Sequence, residues 1–223
     1  MNESVKLNEQ LIQSIAQLVM EQLQEIGLAP SGEPSTHIPV GVSARHIHLT
    51  QAHMEVLFGK GNALTRYKDI SQPGQYAANE TVTLVGPRNA IQKVRVLGPC
   101  RSYTQIELAS SDARTLGINP PIRESGNLAG TPGVRVIGPA GSLQLEQGCI
   151  IAERHIHMTP RDAAAYGVTH GQRVSIKVEG ARGGTMEQVA IKVHDHYALD
   201  LHIDTDDSNA YGVQHGQHLE LII

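Results

Sequence analysis

The sequence predicts a mainly β protein: two tandem β-barrel domains with short capping helices, preceded by an N-terminal amphipathic helix. Three observations carry that expectation. From residue 38 onward the apolar runs are short, several alternate with period two, and they end at Gly or Pro. The helical stretches between them are too few and too short for a doubly wound α/β sheet. The chain also repeats itself. Arg45-His46-Ile47-His48-Leu49-Thr50 returns as Arg154-His155-Ile156-His157-Met158-Thr159. Ala165-Tyr166-Gly167-Val168-Thr169-His170-Gly171-Gln172 returns as Ala210-Tyr211-Gly212-Val213-Gln214-His215-Gly216-Gln217.

In chain order, residues 1–27 read as one helix. Leu7, Leu11, Ile15 and Leu18, with Ile12, Val19, Leu23 and Ile26 on a neighbouring line, recur at spacings of three and four. This stretch lacks the basic start and continuous apolar core of a secretory signal, and it carries acidic residues and no Arg, unlike a mitochondrial presequence. Residues 28–37, rich in Pro, Ser and Gly, read as a linker. Strands are expected at 38–42, 81–85, 93–97, 105–108, 134–137, 142–145, 173–178, 188–193 and 219–223. Short helices are expected at 51–58, 111–116, 160–166 and 207–211. A weaker third copy of the second repeat, Ser110-Ser111-Asp112-Ala113 with Leu116-Gly117-Ile118, precedes a Pro- and Gly-rich stretch at 119–133. The division expected there gives a first barrel over 38–125 and a second over 126–223.

Composition narrows the function. Hydrophobic residues make up 40% of the 223, but aromatics only 3%, so aliphatic side chains must build the core. The formal net charge is -4 and no run of Lys and Arg stands out, which argues against nucleic-acid binding. No apolar stretch approaches the roughly 20 residues of a membrane span. Cys100 and Cys149 make no disulfide framework and fit a reducing cytosol. Each reads as a small packed residue rather than a nucleophile.

The chain has 12 His, and their arrangement matters more than their number. Side chains at i and i+2 on a strand point to one face. His46 with His48, and His155 with His157, therefore converge wherever those segments are extended. Each pair is followed by a Thr suited to cap a helix, Thr50 and Thr159, and Pro160 suits a first helical turn. Both pairs thus sit at a strand end. Neutral imidazole is a good zinc ligand, and a catalytic zinc takes three protein ligands and keeps one position open. For the third ligand the spacing offers Glu107 and His202, while His194 and His196 form a competing His-x-His; spacing alone does not choose. A two-domain cupin also uses His-x-His but places a Glu sooner after the second His than Glu55 stands here. A zinc-stabilised scaffold would need closed, four-ligand sites. Repetition of Arg45 and Arg154 beside the two pairs points to a structural role for both. His170, His215 and His218 read as turn residues at the surface.

Three separated segments resemble the phosphate propanoyltransferase family, the phosphotransacylases of bacterial microcompartments. They are Val42-Ser43-Ala44-Arg45-His46-Ile47-His48-Leu49, then Gly98-Pro99-Cys100-Arg101 with Gln105-Ile106-Glu107-Leu108, then Arg154-His155-Ile156-His157-Met158. The resemblance spans about residues 38–223. It implies two tandem β-barrels with the active site between them, and two zinc ions per chain. One zinc would be held by His46, His48 and Glu107, the other by His155, His157 and His202. It implies that Arg101 binds phosphate and serves catalysis. It further implies that Val42, Ser43, Ala44, Arg88, Arg95 and Asn209 meet coenzyme A, with Lys68 a further candidate. The implied reaction moves an acyl group between coenzyme A and phosphate, with acyl phosphate as product or substrate. The implied location is a microcompartment of the bacterial cytoplasm, of the kind that degrades propanediol. Residues 1–27 would then be the targeting helix that meets shell or lumen proteins, and their apolar stripe also suits a homo-oligomer. Zinc acidifies a bound thiol, and the planar fork of Arg matches phosphate oxygens, so the residues suit the chemistry. The expected route is direct transfer in a ternary complex.

Overall fold

A computed structural model describes residues 36–223 and, before them, Leu18 and Gln22, both helical. The helix expected over 1–27 and the linker expected over 28–37 otherwise fall almost wholly outside the described residues. The first elements are β1 (His37–Ser43), β2 (His46–His48), α1 (Gln51–Phe58), β3 (Arg66–Asp69), β4 (Tyr76–Val85) and β5 (Ala90–Gly98). Then come β6 (Gln105–Glu107), α2 (Ser110–Leu116), β7 (Ile122–Arg123), β8 (Arg135–Ile137), β9 (Ser142–Gln144) and β10 (Cys149–Ala152). The last are β11 (His155–Met158), α3 (Pro160–Tyr166), β12 (Arg173–Val178), β13 (Gly184–Val193), β14 (Asp200–Asp204), α4 (Thr205–Tyr211) and β15 (His218–Ile222).

One local unit recurs four times. A short strand runs into a helix of seven or eight residues, and the first strand gains a parallel neighbour: β2 with β5, β6 with β10, β11 with β13, β14 with β1. The sequence explains three of these four helix starts, α2 alone beginning at a residue without a side-chain cap, Ala109. Thr50 Oγ1 accepts from His53 N–H at 3.1 Å, and Asp204 accepts from Asp207 N–H at 2.8 Å. Thr159 and Asp162 form a full capping box beside Pro160. The ends are set as simply. Gly167 and Gly212, both at φ 68°, take the left-handed turn that a side chain would disfavour.

The strands form two sheets. Six close a barrel in the order β1-β14-β11-β13-β12-β15. Nine form a curled sheet in the order β7-β10-β6-β2-β5-β4-β8-β9, with β3 paired to β4. The sheets do not follow a division at residues 125 and 126. β1 leads directly into β2 of the curled sheet yet belongs to the barrel, whereas β10 leads directly into β11 of the barrel yet belongs to the curled sheet. The two units thus exchange their leading strands. The crossings at Ala44-Arg45 and near Glu153 line one narrow crevice.

Each sheet wraps its own aliphatic core. Ile47, Leu84, Val94, Val96, Ile106 and Leu116 fill one, and Ile38, Ile156, Ile176, Val189, Ile191 and Leu201 the other. Period-two alternation does the sorting on the histidine strands: Ile47 and Ile156 enter the cores, so the flanking His residues must face the other way. Arg45 pairs with Asp112 at 3.0 Å, and Arg154 grips Asp207 through both Nε and Nη2 at 2.9 and 2.6 Å. Each guanidinium ties the start of a histidine strand to a helix of the neighbouring unit. Among the described residues, no helix is long and apolar enough to cross a membrane.

Candidate functional site

The four units each present two side chains to one region, four and two residues before the helix cap. They are His46 and His48, Gln105 and Glu107, His155 and His157, Asp200 and His202. Antiparallel pairing brings them together two units at a time. On β2 and β6, His46 stands opposite Glu107 and His48 opposite Gln105. On β11 and β14, His155 stands opposite His202 and His157 opposite Asp200. Two three-residue clusters result, His46-His48-Glu107 and His155-His157-His202, each with its ligand atoms within 4.8 Å of one another. His194 and His196 are exposed beyond β13 and belong to neither.

The donor geometry fits a metal at each cluster. His46 Nδ1–H donates to the Ala44 carbonyl at 2.9 Å, and His155 Nδ1–H donates to the Glu153 carbonyl at 2.7 Å. A carbonyl only accepts, so both rings carry a proton on Nδ1, which turns Nε2 toward the cluster. Nε2 of His46 and of His48 lie 3.5 and 3.9 Å from the Glu107 carboxylate. His155 and His157 have ring centroids 5.1 and 4.6 Å from that of His202. Nδ1 of His48 and Nδ1 of His157 are buried without a hydrogen-bond partner, and so leave both clusters incompletely satisfied. Of the third ligands, Glu107 is steadied by a hydrogen bond from its neighbour. Gln105 donates to Glu107 Oε1 at 2.7 Å and is itself held by Ser125 and Gly126. Asp200 Oδ2 lies 2.9 Å from His202 Nε2, though off the line of a good hydrogen bond.

The clusters differ in charge. Burial opposes a charged His46, but the adjacent Glu107 carboxylate outweighs it and raises the imidazole. Burial likewise opposes a charged Glu107, yet His46 and its hydrogen bond hold the carboxyl well below its usual range. Burial, then His46 and Arg101, push His48 well down. In the second cluster burial, then Lys192 and His202, lower His155 to about 3, and burial, then His155 and His202, lower His157 to about 2. His155 and His157 are therefore neutral at pH 7, the form that binds metal.

Both clusters open into one cavity of about 390 Å³, lined also by Arg101, Gln75, Tyr103, Glu124, Lys192 and Tyr197. Arg101 is steadied there by Gln75, whose Oε1 accepts from Nη2 at 3.0 Å. A second cleft shares Ser43, His46, Ile70, Leu97 and His202 with that cavity. Val42, Ser43, Ala44, Lys68 and Arg95 line it. Arg95 is braced by the Ala78 and Asn79 carbonyls, both at 2.9 Å. Arg88 and Asn209 are exposed and line neither space. Sequence reading did not single out Gln75, Lys192, Tyr197 or Glu124. Of these only Lys192 left a local signal, a lone cation in the apolar run of β13. His215, expected merely at the surface, lines the cleft, and its Nδ1 accepts from Val42 N–H at 3.3 Å.

The family model for phosphate propanoyltransferase matches residues 39–214. A phosphate propanoyltransferase of Lachnoclostridium phytofermentans is 50% identical over 200 residues, 89% of this chain and 92% of that protein. One from Thermotoga maritima is 50% identical over 188 residues, covering 84% of this chain and 89% of its own length. One from Salmonella typhimurium is 46% identical over 200 residues, covering 89% and 90%. The matched span contains both clusters and Arg101, and on that footing this chain belongs to the phosphate propanoyltransferase family.

Proposed function

We propose that the protein is a phosphotransacylase that interconverts acyl-CoA and phosphate with acyl phosphate and free coenzyme A, the acyl group being propanoyl or acetyl. One observation carries the reading: Arg101 and two three-ligand clusters share a cavity that continues into a cleft lined by Ser43, Lys68 and Arg95. One zinc held by His46, His48 and Glu107, and another by His155, His157 and His202, would supply thiol acidification and Lewis acidity.

The chain's own residues do the rest. Val42, Ser43 and Ala44 border the route for the pantetheine arm, and Lys68 and Arg95 offer cations to the coenzyme's phosphates. On this reading Arg88 and Asn209, outside the cleft, would meet the nucleotide end of this long ligand. Arg101, pre-oriented by Gln75, grips the phosphoryl group and neutralises it as it departs. The thiolate of coenzyme A attacks the acyl carbonyl carbon, a C–S bond forms, and the C–O bond to the phosphoryl group breaks with its electron pair leaving on phosphate. Direct transfer is favoured because neither protein thiol is primed as a nucleophile. Burial raises Cys100, and burial pushes Cys149 up to about 12. Residues 1–27 are read as the segment that directs the enzyme to shell or lumen proteins of a microcompartment, where propanediol degradation would use this step.

The test is an assay of the purified protein with coenzyme A and acyl phosphates of increasing chain length, with metal content measured in parallel. Turnover and about two zinc per chain are expected. Full activity of a metal-free preparation overturns the zinc assignment, and absence of turnover with every acyl phosphate overturns the activity. Cys100→Ser and Cys149→Ser should each keep most of the rate, and recovery of a turnover-competent acylated protein would defeat direct transfer.

A further inference from the structure

Lys192 is the cation in the cavity that no role above absorbs. It stands on β13, in register with His157 of β11, and is only 7% exposed. Its neighbour Ile191 is in the barrel core. Among the described residues its one ion partner is Glu124, with Nζ 3.4 Å from Oε1. That is longer than a charge-assisted hydrogen bond of about 2.8 Å. The partners are unequally buried: the Lys192 side chain is 9% exposed and that of Glu124 57%. A buried ammonium is strongly disfavoured unless an anion meets it, and an exposed carboxylate compensates it weakly. Both residues line the cavity that contains Arg101. Glu124 hangs from an anchored segment, since the following Ser125 and Gly126 are hydrogen-bonded to Gln105. The carboxylate can therefore swing aside without the backbone moving.

Resting on the phosphotransacylase reading, we infer that Lys192 is a second anion-binding residue of this cavity, recognising the phosphoryl group of phosphate or acyl phosphate together with Arg101, and that Glu124 is a resident counter-ion which the substrate displaces. A dianion brings more negative charge to the lysine than one loosely held carboxylate. Glu124 keeps the lysine from carrying an uncompensated charge in the empty cavity, and for the same reason competes with substrate.

This role separates from a mere tether between the loop and the barrel, because a tether breaks equally from either end. Wild type, Lys192→Met, Lys192→Arg and Glu124→Gln are compared for the KM of inorganic phosphate and of acyl-CoA, for kcat, and for phosphate binding by calorimetry without coenzyme A. Melting temperature and zinc content serve as folding controls. Lys192→Met should raise the phosphate KM at least tenfold with the acyl-CoA KM changed less than twofold, and Lys192→Arg should recover part of the loss. Glu124→Gln should move the other way, lowering the phosphate KM several-fold. An unchanged phosphate KM in Lys192→Met overturns the inference, as does a rise in Glu124→Gln that matches it. Should Lys192→Met fail to fold, the sign of the Glu124→Gln effect decides alone. A wild-type protein that turns over keeps the activity reading whatever these variants do, whereas wild type without turnover defeats that reading first.

Discussion

The first ring of each histidine pair is oriented by a single short contact. The carbonyl two residues upstream, Ala44 or Glu153, accepts a hydrogen bond from Nδ1–H of His46 or His155 and so turns Nε2 toward the cluster. Replacing His46 or His155 with Ala should each remove about one zinc equivalent and nearly abolish turnover, read by metal analysis beside the assay. Asp200 occupies the place in the second cluster that Gln105 occupies in the first. Asp200→Asn should weaken zinc at the second cluster by about 10- to 100-fold and leave the first intact, as competition with a chelator would show. Equal retention at both clusters would remove Asp200 from that role. Acid should also act through these residues in the metal-free protein. His155 and His157 bind protons far less readily folded, at about 3 and about 2, than the ordinary imidazole at 6.5. The unfolded chain therefore takes up protons first as pH falls below 6.5, and stability drops through that window. The slope is up to about 1.4 kcal/mol per pH unit for each histidine. Denaturant melts at pH 7, 6 and 5 should show the decline, with zinc relieving it. A flat profile would mean that these rings charge freely when folded.

Elements explain why the ligands recur at a constant place. Every ligand pair ends two residues before a helix cap, so the cap fixes where the strand stops and where its last inward side chain points. Thr159→Ala removes the hydroxyl half of a capping box, leaving Asp162 to accept from the backbone N–H of residue 159, and should destabilise by about 1 kcal/mol, measured by chemical denaturation. β1 passes close beneath the second cluster. A Cβ on Gly41 would fall 2.6 Å from Asp200 Oδ2, and Asp200 is only 4% exposed, with little room to yield. Gly41→Ala should therefore lower zinc occupancy at the second cluster before the first. Normal occupancy at both would show that Asp200 finds another position. The elements themselves were readable where patterns are local. Helices at 51–58 and 160–166 and the strand at 173–178 stand as expected. β7, β10 and β14 are absent from the expected strands, because each is short and extended chiefly through pairing with strands remote in sequence.

Over the whole molecule, the described fold gathers Thr36–Ile223 into one compact unit. Deleting residues 1–27 should thus leave melting temperature, zinc content and specific activity nearly unchanged, while a reporter fused to those residues should concentrate in microcompartments. A large fall in melting temperature with a diffuse reporter would make that segment part of the enzyme's own fold. By itself the sequence determined the mainly β class, the two His-x-His pairs, their caps and, through its motifs, the family. These are short-range features, written in alternation and in residues two to four apart. Only the tertiary structure decided how β1 and β10 exchange between sheets, and that Lys192, Glu124 and Tyr197 share a cavity with Arg101. It also set Glu107 opposite His46 and His202 opposite His155, a choice that spacing had left open against His194 and His196. Strand register is fixed by core burial and by hydrogen bonding between segments tens of residues apart, so no local pattern carries it.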